Sequence, residues 1–253
     1  MTPPPLVLVH GGAHGAWCWA PTVDLMTTPA LAVDLPPKVI RQGGPDRHAH
    51  PPELDTLTIG DFGSSLLADI DAAGLDGVVL VGHSMGGLSI VEVARRVPER
   101  VATLVFVSCI VPPEGGNAVD ALPPDSTDRT GGALEPPDDE PFAGLAEDTA
   151  RTMFCNDMTD DQARFVLDRI GNEAMGPLLE KVTRADLSPA IPKVYVRLAR
   201  DQSLPPDNQD LQIRHLEASP GGTVEVIDID AGHNVMVSHP DALAAVLDKI
   251  ATR

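Results

Sequence analysis

The residue most able to do chemistry in this chain is a serine at a sharp bend. The stretch Val78-Val79-Leu80-Val81-Gly82-His83-Ser84-Met85-Gly86-Gly87 runs from an apolar strand-like segment, through Gly-x-Ser-x-Gly, into a helical stretch. A hydroxyl is a weak nucleophile unless a nearby base removes its proton. A tight strand–turn–helix lifts such a serine above the strand ends, where a base can reach it. Gly82 and Gly86 suit that turn because its neighbours pack too closely for a Cβ. The plain alternative is a glycine-rich strand–helix turn with no nucleophile.

Three further pieces supply what Ser84 would need. The first is a base. His233, in Ala231-Gly232-His233-Asn234, follows a late apolar run and precedes a terminal helical stretch, and a neutral imidazole accepts protons near neutral pH. His239 is the rival, but it precedes Pro240 at a helix start and is expected to face solvent. His48 and His50 lie in a Pro-rich loop, and His83 flanks Ser84 with its side chain expected to point away. The second piece is an acid lying between serine and histidine in the chain, after a strand. Asp201 follows Lys193-Val194-Tyr195-Val196-Arg197-Leu198 and fits; Asp207 and Asp210 are alternatives that fall at the next helix.

The third piece is a pair of backbone N–H groups for a developing oxyanion. Leu8-Val9-His10-Gly11-Gly12-Ala13-His14-Gly15 follows the first strand, and its small residues let amides turn toward a neighbouring site. The expected donors are the amides of Gly12 and Met85. A phosphate loop is the competing reading, but no Gly-Lys-Ser/Thr follows and the Gly-x-Gly-x-x-Gly spacing is absent.

The elements that must position these groups follow from hydropathy. Short apolar runs at Leu6–His10, Ala30–Asp34, Val78–Val81, Val101–Val107, Lys193–Leu198 and Val224–Ile229 read as buried parallel strands. Helical stretches at Thr58–Ala73, Met85–Val97, Pro206–Ala218 and His239–Ala251 alternate with them, the last with Ser238 as expected N-cap. Alternation of this kind implies an α/β fold: a mostly parallel sheet with helices on both faces. The pattern breaks at 112–190. There a segment rich in Pro, Gly and acidic residues, with Arg129 as its one basic residue up to Asp148, leads to Thr149–Phe154, to a helix at Thr159–Ile170 with a Thr159/Gln162 capping box, and to a helical stretch at Glu173–Val182. The expected organisation is a core of 1–111 and 191–253 with an inserted cap at 112–190.

Composition limits the function classes. With 18 Lys+Arg against 37 Asp+Glu, the net charge of −19 argues against partners that need basic patches, nucleic acid and anionic membranes. The three cysteines, Cys18, Cys109 and Cys155, form no Cys-x-x-Cys, so buried free thiols are expected rather than a zinc site or a disulfide framework. The N-terminal stretch has no basic n-region and opens on prolines, which leads to a cytoplasmic expectation. No metal or organic cofactor is required, and the oligomeric state, a homodimer among the options, is left open.

Taken together, these residues resemble the α/β-hydrolase superfamily, and within it the plant methyl esterase and hydroxynitrile lyase family with its bacterial relatives. The resemblance rests on Val7 to Trp19, on Leu80 to Gly87, on Gly232-His233, and on Lys193 to Val196 followed by Asp201, Pro205 and Gln209. It implies a Ser84–His233–Asp201 triad and a pocket under a cap. Lyases of that family carry Thr and Lys where this chain has Gly11 and Asn234, so the resemblance implies an esterase rather than a lyase. The expected activity is hydrolysis of a small apolar ester through an acyl-enzyme. Gly11, Phe142, Leu145, Met153, Phe154 and Leu178 are candidate pocket residues. A slow-turnover ligand receptor, C–C bond hydrolysis and perhydrolysis are alternatives open to the same triad.

Overall fold

Residues of the inner strands alternate between two apolar layers, and that alternation builds the molecule; the edge strand Glu225–Ile229, expected to be buried, is instead mostly exposed up to Ile229 because no further strand covers it. In the computed structural model, which describes residues 3–122 and 147–253, six strands form one parallel sheet in the order β2-β1-β3-β4-β5-β6. They are β1 (Leu6–Val9), β2 (Ala30–Val33), β3 (Val78–His83), β4 (Val101–Val107), β5 (Lys193–Leu198) and β6 (Glu225–Ile229). Val7, Val9, Leu80, Leu104, Phe106 and Tyr195 face one layer, and Leu6, Leu8, Val79, Val81, Val105, Val107, Val194 and Val196 face the other. A period of two with apolar residues on both faces is what a sheet covered on both sides requires.

Helices α1 (Ile59–Ala72), α2 (Gly86–Arg96) and α5 (Pro206–Glu217) add Phe62, Leu66, Ile70, Ile90, Val93, Ile213 and Leu216 to the first layer. The second layer takes Leu243, Leu247 and Ile250 from α6 (Pro240–Ala251). It also takes Ala150 and Phe154 from α3 (Glu147–Phe154), and Ala163 and Val166 from α4 (Asp160–Leu167). Each of the larger side chains among them contributes about 1.5–3 kcal/mol by leaving water. Truncating a fully buried one, such as Leu66→Ala, would cost about 2–5 kcal/mol. The α1 start is a capping box: the Asp61 amide donates to the Thr58 hydroxyl at 3.1 Å, and Asp61 Oδ2 accepts from the Thr58 amide at 2.9 Å. The Thr159/Gln162 box at α4 forms the same way.

Two local expectations are corrected. The stretch Glu173–Val182 is helical only at Gly176–Leu179. Its flanks are committed elsewhere: Glu173 is held by a buried ion pair, and Glu180 accepts the Ile59 amide at 2.8 Å from an extended backbone. Tertiary contacts override helix propensity here. Ser238 does not cap α6. His239 is the N-cap residue, without a side-chain cap, and Ser238 instead ends the separate turn Val235–Ser238 and donates to Asp157 at 3.1 Å.

Starting at β1, the chain places β2 on one side and β3 on the other. The direction of winding reverses there, so a crevice opens at the carboxyl ends of β1 and β3. The loop after β1 and Ser84 after β3 meet in that crevice.

Candidate active site

Ser84 lies between β3 and α2 with φ of 51°, in the left-handed region that strains a residue with a Cβ. Three backbone hydrogen bonds hold it: its amide to the Val107 carbonyl at 3.1 Å, and its carbonyl to the amides of Ile110 at 3.1 Å and Gly87 at 3.2 Å. The flanking glycines are required by contact. A Cβ on Gly82 would fall 2.8 Å from the Gly86 carbonyl carbon, and one on Gly86 would fall 2.7 Å from the Val9 and His10 oxygens. Ser84 itself is half-buried while His83 and Met85 on either side are buried.

The structure brings Asp201 and His233 together. Asp201 Oδ2 lies 2.7 Å from His233 Nδ1 and also accepts from the Ser108 hydroxyl at 2.6 Å. Oδ1 accepts from the Ser203 and Leu204 amides at 2.7 and 2.8 Å. The residues are 1% and 2% exposed. With Nδ1–H donating to the carboxylate, Nε2 carries the imidazole lone pair. The rival carboxylates are elsewhere: Asp210 pairs with Arg197 at 2.6 Å, and Asp207 is exposed in the first turn of α5. Gln209 ties the Asp201 loop down. Its Nε2 donates to the carbonyls of Leu198 at 2.9 Å and Leu204 at 2.8 Å, and its Oε1 accepts from the Leu198 amide at 2.8 Å.

The connection between α3 and α4 touches both loops. Asn156 Nδ2 donates to the Arg200 carbonyl at 2.8 Å, and Asp157 Oδ2 accepts the Gly232 amide at 2.5 Å. A Cβ on Gly232 would sit 2.5 Å from Asn156 Oδ1 and 2.8 Å from Asp157 Cγ, so a larger residue before His233 would displace that pair. His83 turns its Nε2–H to the His233 carbonyl at 3.0 Å, with the two rings 4.6 Å apart. Burial, then the positive charge His233 would carry, pushes the His83 pKa well down, so it stays neutral. His239 is less free than expected: it is half-buried, and its Nδ1 lies 3.0 Å from the Ser238 hydroxyl and 3.3 Å from Asp157.

On the other side of Ser84 lies the loop after β1. A Cβ on Gly11 would fall 2.8 Å from Ser84 Cβ and 2.9 Å from His83 Nδ1, so this glycine packs directly on the serine. The Cβ position of Gly12 is 3.9 Å from Met85 Sδ, so the loop after β1 meets the Met85 side chain. Ala13 has φ of 62°. Its amide donates to Glu173 Oε2 at 2.7 Å and its carbonyl accepts from the Gly171 amide at 2.9 Å. His14 donates from Nδ1 to the Gly12 carbonyl at 2.7 Å and accepts at Nε2 from Asn234 Nδ2 at 2.9 Å. Burial is the main cause that lowers the His14 pKa to about 4, so it too is neutral. The Asn234 amide is thereby engaged with His14.

Of the candidate pocket residues, Phe154 stacks on His233 with centroids 5.8 Å apart and meets His14 edge-on at 5.1 Å. Met153 is half-buried against the same layer. Leu178 lies in the opposite layer, the one that holds Met85 and Leu88. Phe142 and Leu145 lie outside the described residues. Sequence reasoning missed Ser108, Glu173 with Arg41, and the pair Asn156–Asp157. Only Ser108 had a signal, as a small polar residue ending the strand beside β5. Cys18, Cys109 and Cys155 are buried free thiols, with Cys155 pushed up to about 11 by burial. Among the described residues, no cluster of three or more His, Cys, Asp or Glu could hold a metal ion, and no helix is long and apolar enough to cross a membrane.

The model of the alpha/beta hydrolase family matches residues 6–246. An esterase of Oryza sativa subsp. japonica is 30% identical over 271 residues, covering 98% of this chain and 95% of the relative. A methylesterase of Arabidopsis thaliana is 25% identical over 265 residues, covering 98% and 92%. Among solved structures, an extracellular alpha/beta-hydrolase from a Paenibacillus species superimposes with a TM-score of 0.81 at 22% identity, over 99% of this chain and 100% of that one.

Proposed function

The chain belongs to the alpha/beta hydrolase family, and from that premise we propose that it is a serine carboxyl-ester hydrolase acting on a small, largely apolar ester. Ser84 is the nucleophile. His233 Nε2 takes the hydroxyl proton as Oγ attacks the carbonyl carbon, then gives that proton to the leaving alcohol. Asp201 holds the imidazole in the required tautomer and stabilises its cation. The Gly12 and Met85 amides receive the oxyanion, and losing one such donor typically costs 10²–10³ in rate, about 3–4 kcal/mol. Water activated by His233 then releases the acid and restores Ser84.

The observation that carries this reading is the 2.7 Å contact of Asp201 with His233 Nδ1, next to a loop whose Gly11 packs on Ser84. A small apolar substrate is supported by Phe154 against His233 and by Met153 in the same helix. We take residues 112–190 as the cap over that pocket. Relatives named as esterases and methylesterases support the same class. Cyanohydrin cleavage is disfavoured because Asn234 is uncharged and its amide is spent on His14, where departing cyanide would need a cation.

Steady-state hydrolysis of an aryl acetate tests the proposal. Turnover is expected in the unmutated protein and should fall at least 10³-fold in Ser84→Ala. Cyanide release from mandelonitrile above the spontaneous rate, with no ester turnover, would overturn it.

A further inference from the structure

Ala13 occupies a conformation that its sequence does not favour, and groups far away in the chain hold it there. A residue with a Cβ leaves the left-handed region unless its polar groups are fixed. Here both are: the amide by Glu173 and the carbonyl by Gly171. Glu173 is in turn immobile. Its Oε2 accepts from Arg41 Nη1 at 2.9 Å, and its Oε1 accepts from Arg41 Nη2 at 2.5 Å and from the Ala174 amide at 2.7 Å. Arg41 Nη1 also donates to the Asn172 carbonyl at 3.0 Å. Arg41 is 1% exposed and Glu173 5%. The Arg41 backbone closes the far end of the loop, because a Cβ on Gly15 would lie 1.9 Å from its carbonyl oxygen.

A buried ion pair is poor evidence for stability, since apolar replacements often fold as well; its better-attested use is to fix one geometry. Placement also matters electrostatically. Glu173 Oε2 lies 3.6 Å from the Cβ position of Gly12. A bare negative charge there would oppose an oxyanion forming on the Gly12 amide, and the Arg41 guanidinium cancels it.

We propose that Glu173, neutralised by Arg41, is a positioning residue that locks Ala13 and thereby aims the Gly12 N–H at the substrate carbonyl oxygen. The proposal rests on the serine-hydrolase reading of the site. It places part of the oxyanion machinery under the control of the inserted segment, because Glu173 lies within 112–190.

Two double variants separate the hydrogen bond from the charge. Arg41→Met with Glu173→Gln removes both charges and keeps an acceptor for the Ala13 amide. Arg41→Met with Glu173→Leu removes the acceptor as well. Thermal melts establish that both fold, and Arg41→Leu with Glu173→Met replaces the second if it does not. The Gln variant should lose less than about tenfold in kcat. The Leu variant should lose about 10²–10³ with KM changed little, and its affinity for an aryl trifluoromethyl ketone, which binds as an oxyanion, should fall in proportion. Equal kcat and equal ketone affinity in the two folded variants would overturn the proposal. Hydrogen exchange of the Ala13 amide gives a readout independent of turnover. Protection should survive in the Gln variant and be lost in the Leu variant, and unchanged protection in both would overturn the proposal. An unmutated protein that hydrolyses no ester would instead sink the serine-hydrolase reading, and the exchange result would still decide whether Glu173 holds the loop.

Discussion

Asp201 and Ala13 both sit a few residues beyond the end of a strand, yet their supports come from different places. Asp201 is held by the sheet and its own crossover: Ser108 at the end of β4, the Ser203 and Leu204 amides, and Gln209 on α5 clamping the loop to β5. Ala13 is held by residues 171 and 173, which reach it from the segment between β4 and β5. An alteration at residues 171–173 can therefore disturb the geometry of the proposed oxyanion site while leaving Asp201 and His233 in place; the loops of that pair meet the same segment elsewhere, at Asn156 and Asp157. In contrast, damage around Asp201 should cost stability and proton transfer together.

The sharpest break on the sheet-held side is Asp201→Asn. Loss of the carboxylate permits the wrong imidazole tautomer, and kcat is expected to fall about 10⁴-fold with the fold intact. Near-normal kcat in a folded Asp201→Asn protein, with an inactive Asp207 or Asp210 variant, would move the acid elsewhere.

Acid should destabilise the native state. His10, His14 and His83 are buried, and burial is the largest cause lowering each pKa, to about 4 for His14 and well below the ordinary value for the other two. An unfolded histidine takes up its proton near 6.5, so between about 6.5 and 4 the unfolded chain binds protons that the native chain refuses. The stability contributed is full above pH 6.5 and is lost as pH falls toward 4. Three such groups give a slope of up to about 4 kcal/mol per pH unit in that window. Urea titrations at successive pH values check it, and a flat stability from pH 7 to 4.5 would contradict it. His14 belongs to the oxyanion side, and its signal in NMR should titrate near 4.

Gln209→Leu should cost about 2–3 kcal/mol, because it takes the side-chain partner from the buried Leu198 amide and Leu204 carbonyl and leaves the Leu198 carbonyl only the Asp201 amide at 3.4 Å. It should also lower kcat, as expected if the Asp201 loop depends on the core. A stable variant with unchanged kcat would show that the loop holds itself. The smallest effect belongs to Ser108→Ala. It removes one donor from a carboxylate that keeps three others, so kcat is expected to drop about tenfold.

The contrast between the two sides also explains what could be read along the chain. β4 and β5 match their expected limits, Val101–Val107 and Lys193–Leu198, because a strand covered on both faces is a continuous apolar run with polar stops. The Thr159 helix start was legible because a capping box is local, spanning four residues. Ser84, His233 and Asp201 were legible because each sits where a strand ends and glycine or a loop begins. The Arg41–Glu173 pair carries no such mark. Its partners are 132 positions apart, in a chain whose many carboxylates are mostly surface groups, and the helix expected over Glu173–Val182 is confined to Gly176–Leu179. Asp157, which receives the Gly232 amide, is likewise one acidic residue among several in an acidic stretch.

An activated Ser84, as proposed, can be captured covalently. The unmutated protein, treated with an aryl organophosphonate and digested for mass spectrometry, should carry one phosphonyl group on Ser84. The rate of labelling should fall at least 10³-fold in His233→Ala, with loss of the base. Stoichiometric labelling at another serine, or labelling of Ser84 at an equal rate in His233→Ala, would contradict the proposal.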